Sequence, residues 1–270
     1  NVHQRAYNTF VENKTTREKL EAILTKSNPN RNMEEGGFGS ITKMVLQNGN
    51  RNIEYVIKRV ANVNKTSKYQ YSKHSEYDYL RIMEHPNIIK VYDVFDYKSN
   101  VEKTSSDILC IVSEYGGETL DKYIRRTTPS LRYKSHIFMK ICSAVAYISN
   151  LGLMHRDLKL SNITVKDNEP KIIDFGLMIF KNNDDNGAGT SGWTKGSYFN
   201  DTLIVFNKHR GLTDHFALGV LLWYIFTQKM PKKEFYMSLY NDNWLQTCRT
   251  SLETDEYLNT NIKRQEYKVI

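Results

Sequence analysis

The hydrophobic texture of the chain changes once, at Gly116 and Gly117, and that change narrows the folds open to it. Before the pair, apolar residues come in short β-like runs: "GSITKMVLQ", "IEYVIKRV", "NIIKVYDVFDY" and "ILCIVSEY". The first two flank the turn signal "NGN", a hairpin pattern. One helical pattern interrupts the series, "SKHSEYDYLRIMEH", with Tyr77, Leu80 and Met83 at helical spacing. After the pair comes a long amphipathic helix, "LRYKSHIFMKICSAVAYISNLG", ended by Gly152. Two short strands follow, "NITV" and "PKIIDF", then the polar segment "KNNDDNGAGTSGWTKG", which reads as a loop. "HFALGVLLWYIF" reads as a buried helix, and the tail from Pro231 shows only short helical patterns. Upstream, "ENKTTREKLEAILTKSNPN" is a helix pattern opened by a capping box of Thr15 and Glu18 and ended at Pro29. The plan is α+β: a helical extension over residues 1–30, a β-rich lobe over 31–115 and a mostly helical lobe over 116–270.

Composition excludes several classes. The net charge of +8 favours acidic partners without choosing among them. No dense Lys/Arg block occurs, so a dedicated nucleic-acid site is not expected. The longest apolar run, "ALGVLLWYIF", has ten residues, too few to span a bilayer. The opening "NVHQRAYNTF" lacks the apolar core of a signal peptide. Cys110, Cys142 and Cys248 are odd in number and widely spaced, which argues against a disulfide framework or zinc site. An intracellular, reducing compartment and no membrane partner are the expectation.

"EEGGFGSI" places Gly36 and Gly39 as the last two glycines of a G-x-G-x-x-G loop, with Glu34 where the first would stand. Glycines let backbone N–H groups approach phosphates because no Cβ intervenes. A flexible turn fits them equally well. A Walker A loop does not, because no Gly-Lys-Ser/Thr follows, and a dinucleotide fingerprint does not, because a strand follows. "YVIKRV" sets Lys58 in an apolar strand. It is either an edge lysine that snorkels or one aimed at phosphates and held by a carboxylate, for which Glu76 is suitably placed. "HRDLKLSN", His155 to Asn162, is either solvated surface or chemistry. Asp157 can accept a hydroxyl proton, Lys159 can neutralise a transferred phosphoryl group, and Asn162 offers a hard oxygen to Mg²⁺. In "IIDFG", Asp174 ends an apolar strand, where a carboxylate is costly unless a cation or donors satisfy it. These are the parts for phosphoryl transfer.

In these residues the chain resembles a eukaryotic-type protein kinase. "HRDLKLSN" fits the H-R-D-x-x-x-x-N loop, "DFG" follows in register, and "VIK" fits V-A-I-K; the match runs from about Met33 to Thr227. The resemblance implies a bilobal fold with a shortened C-terminal part, and transfer of the ATP γ-phosphoryl group to Ser or Thr hydroxyls of proteins. It implies that Lys58 meets the α- and β-phosphates and pairs with Glu76, that Asp157 is the catalytic base, and that Lys159 steadies the γ-phosphoryl. Asn162 and Asp174 would hold Mg²⁺ or Mn²⁺. Gly36 and Gly39 would cover the nucleotide, with Ile41, Val56 and Thr164 around the adenine. "SEYGG" would be the hinge, with Ser113 as gatekeeper and backbone groups of Glu114 and Gly116 on the adenine edge. Thr194 would lie near Asp157 and Lys159, and Asp214 would brace the catalytic loop. Leu80, Val91, His155 and Phe175 match the regulatory spine, although core packing alone also explains them.

The sequence departs from that pattern in places. Glu34 would repel phosphates at close range. Val56 stands for the usual alanine and Thr164 for a leucine. No A-P-E follows the "DFG"; counting back from Asp214 puts "FND" there, with Asp201 for the glutamate and Arg249 as candidate partner. The lower substrate-docking region is expected to be reduced. Arg156 is expected to meet charge from the activation loop, either phosphate on Thr190 or Ser191, or the built-in Asp184 and Asp185, in which case no separate activating kinase is needed. Compact, basic and Asn-rich, the chain also resembles baculovirus-encoded protein kinases. That likeness implies a role in late viral expression, arginine-rich virion substrates, and the host nucleus or cytoplasm. A homo-oligomer is left open. Rival readings are a pseudokinase scaffold, supported by Glu34 and the missing A-P-E, a kinase of small molecules or lipids, and a basic nucleic-acid-binding protein.

Overall fold

The computed structural model describes residues 34–36, 39–48, 51–61, 80, 83–98, 107–181, 189, 193 and 213–231. The chain divides into two compact units, Asn1–Glu118 with Thr164–Met178 and Thr119–Ile163 with Ile179–Ile270. The helix expected before Pro29, most of the helix expected around Glu76, and the tail beyond Pro231 lie outside the described residues.

In the first unit, β1 (Glu34–Gly36), β2 (Gly39–Asn48), β3 (Arg51–Ala61), β4 (Val91–Lys98) and β5 (Asp107–Glu114) form one sheet ordered β1-β2-β3-β5-β4. Every neighbouring pair is antiparallel. Asn48 pairs with Arg51, the hairpin register that "NGN" predicts. Side chains alternate across a strand, so each strand has a core side and an opposite side. Tyr55 and Ile57 of β3 join Met44, Cys110 and Val112 in the core, and Tyr92 meets Tyr55 edge-on at 5.4 Å. Val56 and Lys58 therefore share the opposite face, where the register puts Lys58 beside Ile41 and Ile111, and Val56 beside Ser113. That alternation orients the lysine.

The strand expected from Asn87 begins only at Val91. Residues Asn87 to Ile89 are claimed by a distant segment. Ile172 N–H donates to the Asn87 carbonyl at 2.9 Å, Ile89 N–H to the Ile172 carbonyl at 2.9 Å, and the Asn87 side chain to the Pro170 carbonyl at 2.8 Å. Those partners belong to β9 (Glu169–Ile172), which follows β8 (Ile163–Lys166). Asp167 and Asn168 between them have φ of 51° and 65°, the type I′ turn of a two-residue hairpin.

β6 (Glu118–Thr119) is preceded by Gly117, whose φ is +95°. A Cβ there would stand 2.0 Å from the Val165 carbonyl oxygen. Both strain and clash oppose any side chain, so Gly117→Ala is expected to cost about 2–4 kcal/mol. Thermal melting checks this; a variant melting within a degree of the native protein contradicts it.

The second unit contains α1 (Leu120–Thr127), α2 (Leu131–Asn150), β7 (Leu153–Met154), a 3-10 turn (Leu160–Asn162), β10 (Ile179–Phe180) and α3 (Thr213–Thr227). β7 and β10 pair antiparallel. Ser130 caps α2 by accepting the Tyr133 N–H at 3.3 Å. Gly152, with φ of +75°, stands just past its end, as the sequence predicts. Ile137, Ile141, Ala144 and Ile148 form the fully buried stripe of α2. α3 buries residues on most of its circumference, which accounts for its continuous apolar run. Nothing in the reading above anticipated α1, although Leu120, Tyr123 and Ile124 carry helical spacing and are its buried positions.

Lys134 on α2 is buried, and its ammonium donates to the Phe226 carbonyl of α3 at 3.4 Å. Burial pushes its pKa below the ordinary lysine value. In the window between that lowered value and the ordinary one, the unfolded chain binds more protons, so stability from this group rises with pH. Lys134→Met removes the cost of the buried charge and is expected to melt about 2–4 °C higher near neutral pH. The difference should shrink as pH rises through the lowered pKa. A constant difference across an alkaline melting series contradicts the expectation.

Candidate active site

The loop from His155 to Asn162 connects β7 to the 3-10 turn, and it is not a solvated surface. His155, Arg156, Asp157 and Asn162 are all buried. Such a concentration of polar groups is stable only if each finds partners. Asp214, in the first turn of α3, supplies two acceptors: Oδ2 takes the His155 N–H at 2.7 Å and Oδ1 the Arg156 N–H at 2.8 Å. The His155 ring accepts the Asp157 N–H at Nδ1, 3.2 Å away. The bracing expected of Asp214 is thus visible as a carboxylate clamp on the loop backbone.

Asp157, Lys159 and Asn162 come together around one carboxylate. Asp157 Oδ2 accepts from Lys159 Nζ at 2.8 Å and from Asn162 Nδ2 at 2.8 Å. Asn162 Nδ2 also donates to the Asp157 carbonyl at 2.8 Å. Two contacts to Oδ2 therefore hold the Asp157 side chain in one orientation, and the third ties its backbone carbonyl to Asn162. With its amide nitrogen committed to Asp157, Asn162 has its amide oxygen as the atom suited to a hard cation.

In the first unit, Lys58 and Asp174 meet at 2.6 Å between Nζ and Oδ1. β3 is hydrogen-bonded on both sides, so Lys58 is not an edge lysine and the snorkelling alternative fails. Its side chain is 15% exposed and that of Asp174 28%, so the pair is partly shielded from water. The same Asp174 oxygen accepts the Gly176 N–H at 3.4 Å. Asp174 lies two residues past the end of β9, and its backbone φ is +61°.

The "SEYGG" segment ends β5. Glu114 donates its N–H to the Lys90 carbonyl at 3.0 Å, while its own carbonyl accepts from Ser113 Oγ at 3.2 Å. That carbonyl keeps a second lone pair for a ligand donor. Gly116 packs directly on Thr164: a Cβ at 116 would stand 2.3 Å from the Thr164 Oγ1. Val56 is half-buried and Ile41 is 38% exposed. Sequence reasoning missed Lys171 of β9, whose Nζ binds Glu114 Oε1 at 2.6 Å. No local pattern links residues 57 apart, and the two strands that carry them belong to different sheets. It also missed Lys43 and Lys166, which both bind Glu54 and lie 3.7 and 5.4 Å from the Tyr115 ring centroid.

Backbone strain singles out the same residues. Six described non-glycine residues have positive φ. Asp167 and Asn168 form the β8–β9 turn, and Thr128 and Gln228 follow the ends of α1 and α3. The other two are Arg156 and Asp174, at 70° and 61°. Strain of this kind persists where surroundings enforce it and collects at functional sites. The family model described as "Protein kinase domain" matches residues 28–267. The chain belongs to the protein kinase family. It is similar to "NUAK family SNF1-like kinase 1" of Mus musculus, 36% identical over 160 residues, 58% of this chain and 23% of that protein. It is also similar to "Mitosis inducer protein kinase cdr1" of Schizosaccharomyces pombe, 34% identical over 161 residues, 56% of this chain and 25% of that one. A longer match, 27% identical over 261 residues, joins 88% of this chain to 38% of "Probable serine/threonine-protein kinase mkcD" of Dictyostelium discoideum. The chain thus spans about a quarter of the first two relatives.

Several expected parts of this protein kinase lie outside the described residues: Glu76, Thr190, Ser191, Thr194, Asp184, Asp185, Asp201 and Arg249. Gly36 and Gly39 are described as backbone, paired with each other where β1 turns into β2. Leu80 and Phe175 are buried in the first unit and His155 in the second, while Val91 is half-buried. The α+β class read from the sequence is the one observed.

Proposed function

We propose that this protein kinase transfers the ATP γ-phosphoryl group to serine or threonine hydroxyls of proteins. The observation that carries the proposal is the oriented, buried Asp157 carboxylate, gripped through Oδ2 by Lys159 and Asn162. In this reading Asp157 Oδ1 accepts the hydroxyl proton while the hydroxyl oxygen bonds to the γ-phosphorus and the bond to the β-phosphate oxygen breaks, releasing ADP. Lys159 offsets charge on the moving phosphoryl group, and Lys58 binds the remaining phosphates. Asn162 and Asp174 bring oxygen donors that fit Mg²⁺ or Mn²⁺, which when bound would neutralise phosphate charge. Gly36, Gly39, Ile41, Val56, Ser113, Glu114, Gly116 and Thr164 form the nucleotide-binding set of the proposal, with Glu76 as second partner of Lys58 and Thr194 beside the base.

Arginine-rich protein substrates, a viral role and an intracellular setting belong to the same proposal; their support is the likeness of this compact, basic, Asn-rich chain to baculovirus-encoded protein kinases. The test is ATP- and Mg²⁺-dependent transfer to protamine and to casein, with Asp174→Asn beside the native protein. Transfer that vanishes in the variant, and that favours protamine, is expected. No transfer together with no nucleotide binding would sink the proposal and leave a scaffold built on a kinase fold.

A further inference from the structure

We propose that the exposed face shared by α1 and α2 docks an acidic protein segment that carries an apolar side chain. From Leu120 to Asn150 the sequence holds six lysines and arginines against a single acid, Asp121. α2 contains no acidic residue over its whole length. Asp121 is engaged by Arg125 at 3.1 Å and by the Tyr224 hydroxyl at 3.4 Å, so it does not offset the rest of the face. Lys134 is buried; the other five cations stand at the surface or partly exposed. A surface with that balance attracts carboxylates and steers them in.

Side-chain contacts make the face continuous. The Arg126 guanidinium lies 5.8 Å from the Tyr123 ring centroid. Tyr123 meets Tyr133 at 6.0 Å, and Tyr133 stacks on His136 at 5.9 Å with 20° between the planes. This run joins α1 to α2, from the exposed Arg126 through the buried Tyr123 ring and the half-buried Tyr133 to the exposed His136. There, Arg132 and Lys140 stand four residues before and after His136, on one side of the helix. Met139 sits among them with 67% of its surface exposed, the largest exposure of any bulky apolar residue described. A flexible, polarisable methionine in a basic surround is suited to an apolar side chain flanked by acids.

The chemistry favours an acidic peptide over nucleic acid. Base stacking needs open ring faces, and the rings here are turned on one another and on Arg126. The basic stretch from Arg132 to Lys140 covers about 12 Å at 1.5 Å per residue, the reach of a short peptide. The proposal does not depend on the phosphoryl-transfer reading, since none of these residues is assigned a part in it.

The test is fluorescence anisotropy on the full chain with a short labelled peptide of glutamate and aspartate around one leucine. Expected is saturable binding that weakens about tenfold or more between roughly 50 and 200 mM salt. The double change Arg132→Glu and Lys140→Glu should weaken it by a further factor of about ten or more, and Met139→Ala by about threefold for the leucine peptide alone. Melting curves establish that the variants fold, and Arg126→Glu serves in place of the double variant if that one does not. Absence of saturable binding overturns the proposal, as does binding indifferent to charge reversal. Equal binding of peptides with and without leucine overturns the apolar part. A single-stranded RNA oligonucleotide that binds more tightly than the peptide, through the same residues, overturns it in favour of nucleic acid.

Discussion

Asp157→Asn should lower phosphoryl transfer by about 10²–10⁴-fold with little change in ATP affinity, the range that loss of a general base produces. Substitution leaves a side chain of the same shape, whose carbonyl oxygen can still accept from Lys159 and Asn162 where Oδ2 does now. The buried loop therefore keeps its packing, and melting should move by no more than about 2 °C. What disappears is the capacity to take a proton. The measurement is steady-state transfer to a serine peptide together with ATP binding by calorimetry. Activity within tenfold of the native protein would remove Asp157 from the role of base. A parallel loss of ATP binding would instead mark the residue as structural.

A second large effect is expected at Asp214. It is buried, and its two oxygens accept the backbone N–H groups of His155 and Arg156. Asp214→Ala leaves both donors buried without an acceptor, at about 1–3 kcal/mol each. Those donors also hold Arg156 in its left-handed conformation, at φ of 70°. The variant should lose about 3–5 kcal/mol of stability, and the loop should relax toward an ordinary backbone geometry. Asp214→Asn restores one acceptor and should recover part of the loss. Urea denaturation of the three proteins checks the order native, then Asn, then Ala. Equal stability of Asn and native protein would show that the second acceptor contributes nothing. Activity should fall further than stability alone explains, because Asp157 follows directly on the clamped residues.

Much of the site was legible because its chemistry is local. Asp157, Lys159 and Asn162 lie within one short segment, and their side chains meet around the Asp157 carboxylate in the structure. Lys58 was conspicuous because a lysine amid Val56, Ile57 and Val60 needs a reason. Its choice of partner was not legible. Across the 116-residue separation of Lys58 and Asp174 there is no local signal for their 2.6 Å contact. The start of β4 was misplaced for a related cause: Asn87, Ile88 and Ile89 have strand composition, but β9 takes their backbone groups first. α1 was passed over although Leu120, Tyr123 and Ile124 share one face and its charges the other, because eight residues give that pattern only two turns in which to repeat.

Periodicity and motif order, then, determined the α+β class, the hairpins, the long helices and the residue types of the chemistry, because each depends on neighbours a few positions apart. Tertiary structure alone decided that β3 is an inner strand, that Glu114 is held by Lys171, that Gly117 admits no side chain, and that Arg156 and Asp174 are held in left-handed geometry. Those are consequences of hydrogen bonds and close contacts between segments far apart in the chain, and such contacts come into being only when the sheet and the helices have packed.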